Sequence, residues 1–278
     1  MTSLRTLIAL GAAISMAAAR NAPAPAGGAG SPLMIALRLE KSAYSLHEPV
    51  VARLKVYNRT TAPMNLDLGK NAIGNLRVTV TDPTGHREMR PPPPELPDGL
   101  SFPGGITLAA GGRYDKGLVL NDWSDFTQSG RYTVRLDLLN QAASPNAAEL
   151  SATSSLEVEP QDSAELRAAC ERLAQRALAG SGANADVAAH ALSFATDEVC
   201  LPAMARVFHA GFRPRISVVD GLARLGTEKA LAVIVGEWDS LDKLSQQIVS
   251  QAFSIAGRIA ILREALAKAG KSLPSASF

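Results

Sequence analysis

The chain has 278 residues, enough for one large domain or two ordinary ones, and its 46% hydrophobic residues can fill more than one core. Formal net charge is +2; Arg5 and Arg20 are the only charges among the first twenty residues, so the rest of the chain is balanced between basic and acidic side chains. With no basic stripe beyond the sparse Arg206, Arg213 and Arg215, the composition speaks against nucleic acid as a partner.

Residues 1–19 have the three parts of a secretory signal: the positive Arg5, an apolar run from Leu7 to Met16, and the small residues Ala17 to Ala19 ahead of cleavage. The run falls short of the ~20 residues that span a bilayer, so cleavage and no stable membrane insertion are expected. A periplasmic or secreted location follows. Residues 20–31, rich in Ala, Pro and Gly, read as a flexible linker.

From 32 to 159 apolar residues recur with a period of two. Strands are expected at Ile35–Leu39, Val50–Tyr57, Leu76–Thr81, Gly117–Leu120, Tyr132–Leu138 and Ser154–Val158. Turn residues separate them at Leu46–Pro49, Asn58–Pro63, Asp82–Gly85 and Ala110–Gly112. Six or seven short strands in ~125 residues fit an antiparallel sandwich. Within Asp125-Phe-Thr-Gln-Ser-Gly-Arg-Tyr132-Thr-Val134, Tyr132 resembles the tyrosine corner of immunoglobulin-like (Ig-like) domains, whose hydroxyl bonds back to the preceding loop. Val134 stands where antibody domains carry a cysteine. The segment Tyr44-Ser-Leu-His-Glu-Pro-Val50, followed by a strand and Asn58, is similar to bacterial Ig-like domains of the proteinase-inhibitor type.

After Pro160 β-branched alternation stops and Ala and Leu rise, so residues 160–270 are expected to form a helical domain, with Asp162 or Ser163 capping the first helix. Helical spacing runs through Leu166, Ala169, Cys170, Leu173 and Ala177 until Gly180-Ser-Gly182. The stretch Ile216–Gly236 then reads as two short helices joined by a Gly-Thr turn, and it recurs. Leu192 aligns with Leu222 and Leu201 with Leu231 thirty residues on, while Phe194 opposite Arg224 breaks the match. A third copy from Ile248 keeps its turn glycine, Gly257, at an offset of thirty-one. Three copies are the usual minimum for a stack. Ala-x-x-Ala-Leu-x-x-Leu-Gly leading into Ala-x-x-x-Leu resembles short HEAT-like repeats of the phycobilisome-lyase type, which implies an α-solenoid over roughly 186–268. Residues 271–278 form a tail.

Only two cysteines occur, Cys170 and Cys200. Export makes a disulfide between them the expected state, provided their Cα atoms come within ~7 Å; two buried thiols are the alternative. No metal or redox set is completed.

No G-x-S-x-G, H-E-x-x-H or G-x-G-x-x-G motif is present, so no catalytic, cofactor-binding or metal-ligating residues are assigned. The histidines are scattered, and His190 on an Ala-rich helix reads as a packed or half-exposed residue. Asn121-Asp122-Trp123-Ser-Asp125 sets two carboxylates beside an aromatic, as sugar or calcium sites do, but a capped turn explains it with fewer demands. Pro91-Pro-Pro-Pro94-Glu-Leu96-Pro97 should hold a polyproline II conformation and is the candidate interaction loop.

The chain is therefore read as an α+β protein of two domains, an antiparallel Ig-like β-sandwich followed by a HEAT-like α-solenoid. The expected role is non-enzymatic binding or scaffolding of a protein or cell-envelope polymer. The alternatives are a peptidase inhibitor acting through the loop Arg87–Leu100, and an enzyme with its site between the halves.

Overall fold

The computed structural model describes residues 31–69, 73–90, 104–139, 150–180 and 182–274. The signal segment, nearly all of the linker, and Pro91, Pro94, Leu96 and Pro97 of the polyproline loop lie outside the described residues. What is described is an α+β chain with ten strands followed by seven α-helices.

The strands are β1 (Leu33–Leu39), β2 (Ala43–Ser45), β3 (Val51–Asn58), β4 (Met64–Asp67), β5 (Leu76–Thr81), β6 (Arg87–Glu88), β7 (Gly105–Leu108), β8 (Arg113–Val119), β9 (Gly130–Leu138) and β10 (Leu150–Glu159). They form a three-stranded sheet in the order β1-β3-β8, a five-stranded sheet in the order β2-β10-β9-β5-β6, and the pair β4-β7. Because alternate residues of a strand point to opposite faces, Ile35, Leu37, Leu54 and Val56 of the first sheet and Val78, Val80, Val134 and Leu136 of the second fall into one buried cluster. Pairing is antiparallel throughout except β2 with β10, which is parallel. The chain leaves β1 in one sheet and crosses to the other, where three residues satisfy the edge of β10. The turn after β2 holds Glu48, whose buried carboxylate accepts from the Ser45 backbone N–H at 3.0 Å and from Lys41 Nζ at 2.8 Å.

The helices are α1 (Ser163–Leu178), α2 (Ala183–Leu192), α3 (Leu201–His209), α4 (Phe212–Leu225), α5 (Glu228–Glu237), α6 (Lys243–Ile255) and α7 (Ile259–Lys268). Asp162 is the cap of α1, accepting from the backbone N–H groups of Ala164 and Glu165. Gly226 ends α4 with φ 54°, a left-handed conformation that glycine adopts without a Cβ penalty, and Thr227 caps α5. In space α2 neighbours α4 and α4 neighbours α6, while α3 neighbours α5 and α5 neighbours α7. At the α2–α4 crossing Gly221 lies so close that a Cβ there would come within 2.8 Å of the Ser193 Cα.

Two strand residues belong to the helical core. Val51 and Val119, paired across β3 and β8, are buried with α1 and α2 side chains on the sheet face opposite the β cluster. Beside them a Cβ on Gly117 would meet the Val187 methyls at 3.0 and 3.2 Å. Helix α2 therefore lies directly on β8.

Candidate functional site

The polar groups that flank this contact converge on one end of the junction. Leu120–Asp122 forms a single 3-10 turn after β8, pinned because Asn121 Oδ1 accepts from the Val50 backbone N–H at 2.8 Å. The turn buries Trp123 in the β core and aims Asp122 across the junction, where both carboxylate oxygens meet His190 Nε2 of α2 at 2.9 and 3.0 Å. In the turn just past the end of α2, the Phe194 ring stands edge-on to the His190 ring with centroids 5.2 Å apart. The Arg224 guanidinium of α4 lies 4.2 Å from the Phe194 centroid and donates to the Ser193 carbonyl at 3.1 Å. The mismatch between repeats is thus a stacked pair. Asp220, one turn before Arg224, keeps contact with solvent, yet surrounding protein raises its carboxyl pKa by desolvation, against the lowering effect of Arg224 and His190. Burial likewise lowers the Arg224 pKa, opposed by Asp220, Asp122 and Asp125.

His190 and Asp220 are thirty residues apart in the sequence, as are Phe194 and Arg224, and the neighbouring helices α2 and α4 bring both pairs to one face. The loop Asp122–Asp125 walls one side. The face offers a half-buried guanidinium over an aromatic ring and an exposed, partly desolvated carboxylate without a hydrogen-bond partner among the described residues, all of them recognition groups.

Asp125 points the other way. Arg90 bridges it at 2.7 Å and Glu88 at 2.6 Å, and Ser124 Oγ donates to the second Glu88 oxygen at 2.7 Å. These residues, with Asp82 and Tyr132, line a polar cavity of about 250 Å³ at the end of the β half. Tyr132 itself is buried; its hydroxyl donates to the Gln128 carbonyl at 3.0 Å and receives the Gln128 N–H at 3.1 Å. Cys170 and Cys200 are joined, with Cα atoms 5.5 Å apart, tying α1 to the turn before α3. Trp238 is buried and donates to the Ser272 carbonyl at 3.0 Å, which folds the tail back onto the helices. Asn58 is buried and spends its side chain on the Ala62 and Ala109 carbonyls and the Thr60 N–H, which pins the turn after β3.

The Asp122–His190 contact has no local signal in the sequence, since its partners are separated by 68 residues. Among the described residues no group of three or more His, Cys, Asp or Glu is placed to hold a metal ion, and no helix is long and apolar enough to cross a membrane.

No protein-family profile matches the chain, and no curated protein matches it. Solved structures with partial likeness include the CARDB domain of a Pyrococcus furiosus protein, 12% identical, covering 47% of this chain and 94% of that one with a TM-score of 0.29. An alkylpurine DNA glycosylase of Pseudomonas fluorescens is 17% identical, with 48% of this chain and 32% of that one covered and a TM-score of 0.27. The sporulation control protein Spo0M of Bacillus subtilis is 14% identical, with 54% and 55% covered and a TM-score of 0.28. Scores this low leave the reading of the fold to the chain's own contacts.

Proposed function

We propose that this is an exported, non-enzymatic binding protein, built from an Ig-like β-sandwich and a short HEAT-like solenoid, that engages a protein or cell-envelope polymer. The sandwich reading is supported by two sheets that share one buried cluster and by the Tyr132 bond to its preceding loop. The solenoid reading is supported by the two rows, α2-α4-α6 and α3-α5-α7, in which neighbours touch in repeat order. The observation that carries the function is the face on α4, where Arg224 and Asp220 stand beside the Asp122–Asp125 loop, so that one ligand would touch both halves.

The test uses a photocrosslinking residue at Asp220 in the purified intact protein, with a control at the exposed Lys229 on α5. Incubation with envelope extract is expected to give a discrete adduct from position 220 alone. Adducts equal at both positions, or none at either, would reject the reading.

The enzyme alternative is favoured by one observation, the flanking of His190 by the carboxylates of Asp122 and Asp220. Hydrolysis of any member of a peptide and glycoside panel that disappears in His190→Gln would support it over binding.

A further inference from the structure

The five-stranded sheet turns one face into the β cluster, and along β5, β9 and β10 the residues of its other face are exposed or half-buried, with the exception of Asp137. Hydroxyl side chains pave the middle of that outer face. They are Thr79 and Thr81 of β5, Thr133 of β9, and Thr153 and Ser155 of β10, and the register sets Thr81, Thr133 and Ser155 side by side across three strands. Threonine suits a strand and still shows a donor and two acceptor sites to solvent. None of these five hydroxyls has a hydrogen-bond partner among the described residues.

Guanidinium groups frame this floor. Arg77 stands at the start of β5, Arg87 of β6 lies opposite Thr81, and Arg131 precedes Thr133 by two residues on β9. All three are exposed, and their side chains have neither an ion pair nor a hydrogen bond among the described residues. Arg135 differs, because its Nε donates to Asp137 at 2.8 Å. Glu157 stands opposite Arg131 without an ion pair between them, and Glu159 follows it at the end of β10, beside β2. Charge is thus divided across the sheet, basic over β6, β5 and β9 and acidic at one end of β10.

We propose that this face binds an acidic polysaccharide, whose sugar hydroxyls meet the Thr and Ser floor and whose carboxylates meet Arg77, Arg87 and Arg131. It uses no residue of the α4 face and goes beyond the binding role assigned there. Charge and shape select this class of partner. A guanidinium meets a carboxylate through two parallel N–H···O bonds, and three guanidiniums here have those donors unspent. The residues that β5, β6, β9 and β10 place on this face include no aromatic or large apolar side chain. Nucleic-acid bases therefore find no stacking platform, and a protein partner finds no apolar anchor. Arg77 and the row of Arg87 and Thr81 are four residues apart along β5, or about 13 Å, so that one ligand reaches both only if its acidic groups are joined along a chain. Each exposed ion pair is weak, and a polymer gains its affinity by making several at once.

The test is calorimetric titration of the intact protein with polygalacturonate, with dextran as a neutral glycan and double-stranded DNA as a polyanion that is not a glycan. Polygalacturonate is expected to bind at about 20 mM salt and more weakly at about 150 mM, where charge is screened. Dextran should not bind, and DNA should bind at least about tenfold more weakly than polygalacturonate. Arg77→Gln/Arg87→Gln/Arg131→Gln should weaken binding of polygalacturonate by about tenfold or more. Thr81→Val/Thr133→Val, which keeps shape, strand preference and charge, should weaken it by about threefold. Both variants should keep the wild-type circular dichroism and a similar Tm, because the replaced side chains lie on the outer face. Polygalacturonate that fails to bind at low salt overturns the proposal, as does binding that survives the triple arginine variant. DNA bound as tightly as polygalacturonate, with the threonine variant indifferent, would reduce the face to general charge attraction and overturn it too.

Discussion

Asp220 and Arg224 illustrate how two residues one helical turn apart acquire opposite shifts from a shared environment. Desolvation raises the Asp220 pKa, so the folded state binds that proton more tightly than the unfolded state. The associated stability is complete below the unfolded Asp range and is lost as pH rises through the raised value. Asp220→Asn is therefore expected to stabilise the protein at pH 7 by about 0.5 kcal/mol or less once solvent screening is allowed for, read as a higher Tm, with the gap closed once pH has fallen to about 4. Calorimetry of both proteins across that range checks the sign. For Phe194 and Arg224, a double-mutant cycle with Phe194→Leu and Arg224→Gln should return a coupling of about 0.5–1 kcal/mol, and a coupling of zero would reduce the stack to coincidence. In the sequence this pair looks like a failure of the repeat, since an aligned Phe and Arg share no polarity. Only their adjacency across α2 and α4 turns the mismatch into complementarity.

At the scale of elements, the disulfide fixes the entry to the helical half. Cys170 on α1 and Cys200 before α3 close a loop of 30 residues and exclude part of the unfolded ensemble, so Cys170→Ala/Cys200→Ala should cost about 2–4 kcal/mol in urea denaturation. The intact protein should also show no free thiol and a mass ~2 Da below the reduced form. Legibility in the sequence follows element length. β1, β3, β5, β9 and β10 have six to ten residues, long enough for period-two alternation to stand out. β2, β4, β6 and β7 have two to four, and nothing in so short a run separates a strand from a turn. Of the expected strand at Gly117–Leu120, Gly117 to Val119 are only the end of β8 and Leu120 opens the 3-10 turn, because Arg113 to Lys116 are too polar to betray a strand that pairs with β3. Gly226 and Gly257 both have positive φ, which is why the turns after α4 and α6 are visible in the sequence as glycines.

Across the whole molecule, the composition of the chain changes at Pro160, and the passage from β10 to α1 falls there. Nothing in one dimension hints at how closely the halves join, because Val51, Gly117 and Val119 look like ordinary strand residues until Val187 is placed against them. Around that apolar contact lie Arg176 with Glu40 at 2.6 and 3.0 Å, His47 with Thr196 at 2.9 Å, and the Asp162 N–H with Ser45 Oγ at 2.9 Å. Gly117→Leu should drive a side chain into Val187 and cost about 1–3 kcal/mol. It is expected to split a single unfolding transition into two, seen as divergence between tryptophan fluorescence and far-ultraviolet circular dichroism, and to open the segment 159–163 to proteases. Coincident transitions in this variant would mean that the halves unfold together for another reason.

The missing side chain at Gly117 also bears on how a ligand would be met. Because α2 rests on the backbone of β8, the Asp122–Asp125 loop and the α4 face are packed side by side before anything binds. Under the proposed binding role this predicts little rearrangement on association, with differences in affinity between ligands expected mainly in how fast contacts break.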